Sequence, residues 1–186
     1  AERNLDSEEG YQKTQSLINK VVEFLGAEAG ALNSIMSQAG ASQDIVAHSA
    51  NVSTIALGLD KALGLTDMEE LSAIGIAALV HDIGKTKLGI DASKSRKSLS
   101  KADLAKYWKH PQASVDMLAG KKHITPRVLR LISDHEEIGE GDGFPDKKLI
   151  VKLPLSSQLL NLANDFDRTA MDLKLPPIQL LAHCAT

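Results

Sequence analysis

The residues best suited to chemistry lie in the pentapeptide His81–Lys85, which follows an apolar run over residues 74–80. Its histidine and Asp82 are both of the types that bind metals, and a carboxylate can bridge two cations. Gly84 would let the backbone turn sharply and approach a ligand closely, and the ammonium of Lys85 could bind phosphate. A histidine–aspartate pair can also simply cap a helix end, so the pentapeptide alone leaves both interpretations open.

Three further histidines fall at a predicted helix end or on an apolar helical stripe. His48 lies on the stripe of a long predicted helix, and Asp44 lies one turn before it. His110 precedes a proline, which places it near the start of a helix. The pair Asp134-His135 ends another predicted helix. For any one of them, a buried histidine bonded to the backbone is the simpler interpretation.

Taken together, these four histidines indicate a metal centre. A core holding all of them would leave many buried nitrogens to satisfy, and a metal cluster satisfies them together. Histidine and carboxylate ligands without thiolates favour iron, manganese, zinc or nickel. Because the ligands exceed what one tetrahedral ion needs, we predict two cations. Such a pair can hold a hydroxide and stabilise both oxygens of an in-line phosphoryl displacement, so phosphoester hydrolysis is the chemistry these residues suit best.

The elements that position these residues are predicted to be helices, because apolar side chains recur at helical spacing and no alternating strand pattern is found. We predict that the stripe of the long helix runs from Ile45 to Leu63, and that Thr66 caps the helix leading into His81. The loop over 86–98 is basic, as surface loops often are. The predicted helices lie at about 14–25, 32–40, 42–63, 67–80, 101–108, 111–119, 126–135, 154–167 and 178–181.

Composition limits the function classes. The 186 residues suffice for one domain, and 43% hydrophobic residues with only 3% aromatics favour a core of packed helices. The net charge of −3 argues against DNA and anionic membranes as partners. No apolar stretch approaches the roughly 20 residues that span a bilayer. The polar, acidic N-terminus is unlike a signal peptide, and a single cysteine, Cys184, is compatible with a reducing cytosol, so we expect a cytoplasmic protein.

The motifs resemble the HD-GYP branch of the HD-domain metal-dependent phosphohydrolases, over about Asp44 to Asp167. The resemblance implies an all-α, HD-domain-like helical bundle with a binuclear, sometimes trinuclear, metal centre. We assign 41–186 to this domain and 1–40 to a polar segment with helices that pack on its core. The segments that carry the resemblance are His81–Lys85, His110-Pro111, Asp134–Glu136 and Gly141–Pro145, with His48 before them.

The resemblance also implies an activity and the residues that support it. The expected reaction is hydrolysis of cyclic di-GMP, or a related cyclic dinucleotide, to linear pGpG or GMP by a metal-bridging hydroxide. Asp82 would bridge the two ions, Lys85 would contact the substrate phosphate, and Asp44 could bind an additional metal. The expected ions are iron, with manganese or zinc as alternatives. The positions that match the family's metal ligands are His48, His81, Asp82, His110 and His135.

Three positions depart from the family's pattern. Asp134 stands where a second consecutive histidine is usual, and we keep it as a ligand because aspartate can coordinate. The Gly-Tyr-Pro of the family is Gly143-Phe144 followed by proline here, so the expected substrate-binding segment lacks a hydroxyl. Asn164 replaces a late metal-binding aspartate and can offer a carbonyl oxygen without charge. These changes lower the expectation of efficient turnover more than that of metal binding.

Two other functions therefore stand beside the phosphodiesterase. One is a catalytically weak or inactive signalling module that binds metals and a nucleotide or a partner protein. The other is a metal-free helical scaffold. Signalling partners and a homodimer are compatible with each of these functions, and the sequence does not decide between them.

Overall fold

The computed structural model describes residues 7–27, 30, 36–37, 44–91, 94–173 and 179–180, and the architecture in these ranges is all-α, as predicted. Short 3-10 helices at Arg96–Ser98 and Ile150–Lys152 lie in the connections. The predicted helices over 32–40 and 178–181 fall largely outside the described residues. The eight α-helices in the described ranges are α1 (Glu8–Ala27), α2 (Ile45–Ala62), α3 (Met68–Val80), α4 (Ile83–Lys87), α5 (Lys101–Tyr107), α6 (His110–Leu118), α7 (Pro126–Asp134) and α8 (Leu155–Leu173).

Polar side chains fix several helix starts by accepting backbone hydrogen bonds. Asp44 accepts from Val46 N at the start of α2, and Ser100 and Thr125 cap α5 and α7 in the same way. The cap of α3 is Asp67, one residue later than the Thr66 that we predicted, and its carboxylate accepts from the second residue of the helix. Each cap satisfies a backbone donor that the helix leaves free.

The helices α2 and α3 form the centre of the bundle, and α1, α7 and α8 pack around them. The predicted stripe of α2 ends early: Leu63 is 59% exposed because it is the C-cap residue beyond the last helical turn. Gly75 of α3 allows close packing, since a Cβ there would lie 2.9 Å from side-chain carbons of Ile18 on α1. The largest fully buried apolar side chains are Ile18, Ile55, Leu57, Leu71, Ile74, Leu118, Leu131, Ile132, Leu160 and Leu180.

A backbone-to-backbone contact between α4 and α6 brings the pentapeptide to His110. A Cβ at Gly84 would lie 2.3 Å from the His110 carbonyl oxygen, so only glycine fits this approach. The Ser114 hydroxyl joins the two helices, because it accepts from Gly84 N at 2.8 Å and donates to the His81 carbonyl at 2.6 Å. In the described part of the chain, no helix is both long and apolar enough to span a bilayer.

Candidate metal centre

Four histidines and one aspartate from separate parts of the bundle meet in a buried cluster. His48 comes from the first turn of α2, His81 from the end of α3, His110 from the start of α6 and His135 from the end of α7, and Asp82 lies between α3 and α4. All five side chains are buried. Their atoms form two triads with Asp82 in common, and within each triad the potential ligand atoms lie within 4.8 Å of one another. The two triads are His48, His81, Asp82 and Asp82, His110, His135.

Three of the histidines are held in the same way. In His81, His110 and His135, Nδ1 lies 2.5–2.7 Å from the carbonyl oxygen three residues earlier. A carbonyl only accepts, so Nδ1 carries the hydrogen and Nε2 presents a lone pair to the cluster. Metal-binding histidines are oriented by this kind of second hydrogen bond. Burial also lowers the pKa of His81 and of His110, which keeps both rings neutral, the form that binds metals.

The arrangement of these lone pairs fits a cation at the second triad. His110 Nε2 and His135 Nε2 lie 3.0 Å apart, yet neither has a hydrogen to donate to the other. Two nitrogens bound at right angles to one ion, each at about 2.1 Å, would be separated by about 3 Å. Asp82 Oδ1 is 3.1 Å from His110 Nε2 and likewise finds no donor there, and it is unpaired among the described residues. A divalent cation would satisfy all three atoms.

The first triad shows the same pattern at His48. Its Nδ1 lies 2.7 Å from Asp167 Oδ2, and a hydrogen bond there leaves a lone pair on Nε2. That nitrogen faces Asn164 Oδ1 at 3.2 Å, and the amide orientation is set because its nitrogen donates to the His135 carbonyl. Two acceptors thus face each other. His81 Nε2, on the same side, is buried without a partner among the described residues, so the donor set fits a second cation.

Asp82 is held in its ionised form. Burial opposes ionisation, but the Lys85 ammonium keeps the pKa of Asp82 well below its usual range. Lys85 Nζ donates to Asp82 Oδ2 at 2.5 Å and lies 4.9 Å from the centre of the Tyr107 ring. The lysine predicted to contact phosphate is therefore part of the cluster and almost fully buried.

Two of the predicted carboxylate ligands lie outside the triads. Asp134 is buried but accepts from Lys148 Nζ at 2.8 Å and from Ser157 Oγ at 3.0 Å. Consecutive residues on a helix point about 100° apart, so Asp134 faces α8 whereas His135 faces the cluster. Asp44 is the N-cap of α2 and hydrogen bonds to a backbone N–H there. The structure brings neither carboxylate into the cluster.

The structure also shows a polar network that our sequence reasoning did not assign. Glu136 is fully buried, accepts from the Tyr107 hydroxyl at 2.8 Å and from Arg168, and its Oε1 lies 3.8 Å from His110 Nε2. Burial opposes ionisation, but the Arg168 guanidinium holds the pKa of Glu136 well below its usual range. The only sequence signal for Arg168 was its position one helical turn after Asn164 on α8, where a 3.6-residue period puts both on one face.

The glycine-rich loop places Phe144 against the cluster. A Cβ at Gly143 would lie 2.4 Å from the Glu136 carbonyl, so the loop can pack on the backbone next to His135 only with glycine there. The Phe144 ring lies 5.9 Å from the His110 ring and 5.8 Å from the Tyr107 ring, between ring centres. Cationic side chains line the opening above the cluster, namely Lys85, Lys94, Arg96 and Arg168.

Comparisons with known proteins agree with this site. A family model described as "HD domain" matches residues 33–180. The cyclic di-GMP phosphodiesterase response regulator RpfG of Xanthomonas campestris pv. campestris (strain 8004) is 29% identical over 106 residues, which are 56% of this chain and 28% of RpfG. The structure of Bd1817, an HDG"Y"P protein from Bdellovibrio bacteriovorus, matches with a TM-score of 0.82 and 28% identity over 96% of this chain and 58% of that one.

The chain thus spans less than two thirds of either relative. The match covers the four histidines, Asp82 and the glycine-rich loop. Sequence and fold agree with one another, and the chain belongs to the HD-domain family, with the features of its HD-GYP branch.

Proposed function

We propose that this metal-dependent phosphohydrolase domain is a phosphodiesterase that cleaves cyclic di-GMP to linear pGpG or GMP. The observation that carries the proposal is the pair of buried triads that share Asp82, with acceptor atoms facing one another at His110 and His135 and at His48 and Asn164. When bound, two divalent cations supply Lewis acidity to a phosphate and generate a nucleophile from water at neutral pH. RpfG, which carries a phosphodiesterase name, supports cyclic di-GMP as the substrate.

The residues proposed to hold the cations divide between the two triads. His48, His81 and the Asn164 carbonyl oxygen would hold the first ion, and His110 and His135 would hold the second. Asp82 is proposed to bridge both, because its two oxygens face different histidines. Asp167 orients His48 through its hydrogen bond to Nδ1. Iron is the proposed metal, with manganese and zinc as alternatives that the same ligands accept.

The cationic opening is proposed to bind the anionic substrate. Lys85 lies at the base of this opening, where its ammonium can offset charge that develops on the phosphate oxygens. Arg168 also lines this opening, and hydrogen bonds to Glu136 and Asp165 hold its guanidinium in place. Lys94 and Arg96 lie nearer the surface and would increase the local concentration of an anionic dinucleotide.

A second function is favoured by one observation. Phe144 faces the cluster and carries no hydroxyl. The nearby Tyr107 hydroxyl cannot replace it, because it already donates a hydrogen bond to Glu136. A domain with this change could bind metals and a nucleotide while turning over slowly, and so act as a signalling module.

The deciding experiment measures metal content and hydrolysis together. Protein loaded with Fe²⁺, Mn²⁺ or Zn²⁺ is analysed for metal and incubated with cyclic di-GMP, with cyclic di-AMP as the control substrate. We expect about two ions per chain, because the cluster has two triads, and release of pGpG or GMP from cyclic di-GMP alone. Protein with two ions that hydrolyses cyclic di-GMP with none of the three metals would overturn the enzyme and favour the signalling module.

A further inference from the structure

A second pocket lies beside the opening of the metal centre. Its volume is about 540 Å³, within the range of about 300–1,000 Å³ that is usual for small-molecule sites. The space directly above the cluster is only about 40 Å³, which suits a phosphate group or a few waters and is too small for a purine. The side chains of the larger pocket include Arg96, Lys97, Leu104, Trp108, Asp142 and Phe144.

Two residues connect this pocket to the metal centre. Arg96 lines both the opening above the cluster and the larger pocket. Phe144 lines the larger pocket, and its ring lies 5.9 Å from the ring of His110, a proposed metal ligand. A ligand whose phosphate lies above the cluster would therefore extend its next chemical group into this pocket, past the Arg96 guanidinium, which can pair with phosphate oxygens in a bidentate manner.

The side chain of Trp108 lines this pocket and provides an aromatic ring for a ligand to stack on. It is 53% exposed and does not belong to the hydrophobic core, although it is the only tryptophan in the chain. Its backbone is held in place because Trp108 is the C-cap of α5 and its N–H donates to the Leu104 carbonyl. Exposed aromatic side chains in cationic grooves commonly stack on nucleobases, since every base presents a π-face.

Asp142 gives the pocket a means of choosing between purines. Guanine presents two adjacent donors, N1–H and the N2 amino group, which match the two oxygens of a carboxylate. Adenine presents an acceptor, N1, next to its amino group, and a carboxylate would repel it. Asp142 is exposed and lies on the same loop as Phe144, so its carboxylate reaches the pocket that the aromatic ring lines.

We propose that this pocket binds a guanine base, with Trp108 stacking on the base, Asp142 selecting guanine over adenine and Arg96 binding the adjoining phosphate. The placement of that phosphate above the cluster rests on the function proposed above. The pocket would thus identify Trp108, Asp142 and Arg96 as the residues that select guanine in the reaction proposed above.

The single tryptophan provides a direct test, because stacking on Trp108 quenches its fluorescence. GMP, AMP and inorganic phosphate are titrated into the metal-loaded protein. We expect GMP to quench at concentrations at least tenfold lower than AMP, and phosphate alone to leave the emission unchanged. Asp142→Asn should weaken GMP binding tenfold or more and abolish the preference over AMP. Glu140→Gln, at an exposed acid of the same loop outside the pocket, should bind like the wild type.

The outcomes separate this pocket from the proposed reaction. Hydrolysis of cyclic di-GMP by protein in which GMP and AMP quench equally, or in which Asp142→Asn keeps the preference, would overturn the pocket and leave the phosphodiesterase intact. Selective quenching by GMP that Asp142→Asn abolishes, in protein that hydrolyses no cyclic dinucleotide, would support the pocket and overturn the phosphodiesterase.

Discussion

At the scale of single residues, short-range hydrogen bonds set the orientation of three of the candidate histidine ligands. His81, His110 and His135 each bond through Nδ1 to a carbonyl only three residues earlier, so the local helix end determines which nitrogen faces the cluster. This explains why the sequence could predict these histidines: their orientation depends on a helix end, which caps and periodicity reveal. Asp82 follows His81 directly and shares that helix end.

Removing one ligand should therefore lower the metal content, and the size of the loss should depend on how many triads contain that ligand. His81→Ala removes a ligand from the first triad alone, whereas Asp82→Ala removes the residue that both triads share. Elemental analysis should show fewer ions in the first variant than in the wild type and close to none in the second. His123→Ala is the control, because His123 packs on Tyr11 and takes no part in either triad. A full complement in His81→Ala would contradict the proposed ligands.

Asp60 is a buried acid that should make stability depend on pH. It is fully buried on α2, neither oxygen has a partner among the described residues, and burial, with the charge of Glu70, raises its pKa from 3.8 to about 7. Between pH 4 and 7 the folded state therefore keeps a proton that the unfolded state has lost, so stability falls as the pH rises through this range. Asp60→Asn removes this loss, since the amide stays neutral.

Denaturant unfolding of both proteins between pH 4 and 8 measures the effect. The free energy of unfolding of Asp60→Asn minus that of the wild type should grow from near zero at pH 4 to at most about 4 kcal/mol at pH 8. Taking this difference cancels the titration of the clustered histidines, which both proteins share. Asp116→Asn, at an exposed residue of α6, should follow the wild type at every pH. A difference that does not change with pH would show that Asp60 is ionised when buried.

At the scale of elements, the site depends on contacts between helices that are far apart in the sequence. Asp167 and Asn164 reach His48 across more than 110 positions, and the Tyr107 hydroxyl meets Glu136 across 29. Periodicity places each of these residues on a helix face but does not say which helices meet. Asn164 was therefore named only through the family resemblance, and the contacts of Asp167, Tyr107 and Glu136 were not predicted. Asp134 was kept as a ligand because it stands where the family usually has a second consecutive histidine, and in the structure its carboxylate accepts from Ser157 on α8.

The close approach of α4 to α6 gives an element-scale prediction. In Gly84→Ala the added Cβ would meet the backbone of His110 and of Ser114, which cannot rotate away. The two helices must separate, which moves His81 and Asp82 away from His110. We expect a loss of stability of about 1–3 kcal/mol, as for overpacked cores, together with reduced metal content.

Chemical unfolding and elemental analysis of the same preparation check both effects. Gly26→Ala on α1 is the matched control, because a Cβ there would lie 3.8 Å from the Lys61 side chain, an ordinary contact. This control should retain its metals and keep or slightly raise its stability, since alanine favours helix more than glycine does. Gly84→Ala with wild-type stability and two ions would show that α4 and α6 can separate without disturbing the cluster.

At the scale of the whole molecule, local charge matters more than net charge. The chain has a net charge of −3, yet Lys85, Lys94, Arg96 and Arg168 all line the opening above the cluster. The basic loop over 86–98 contributes two of these side chains, and its sequence alone could not distinguish a binding surface from an ordinary polar loop. Folding places the loop beside Arg168 of α8, so the proposed anion-binding surface is a property of the tertiary structure.

The buried cluster should also couple metal binding to the stability of the whole domain. Without cations, the lone pairs of His110 and His135 face each other at 3.0 Å in the centre of the bundle, and His81 Nε2 lacks a partner among the described residues. Ions that bind only the folded state at 100 to 1,000 times their dissociation constant stabilise it by about 2.7–4.1 kcal/mol. Complete removal of metal should therefore lower the melting temperature, as differential scanning calorimetry before and after chelation would show.

The Asp82→Ala variant is the control. Because it should hold almost no metal, its melting temperature should be the same with and without chelator. An unchanged wild-type melting temperature after verified metal removal would instead support the metal-free scaffold, because the bundle would then hold the four histidines together by packing alone.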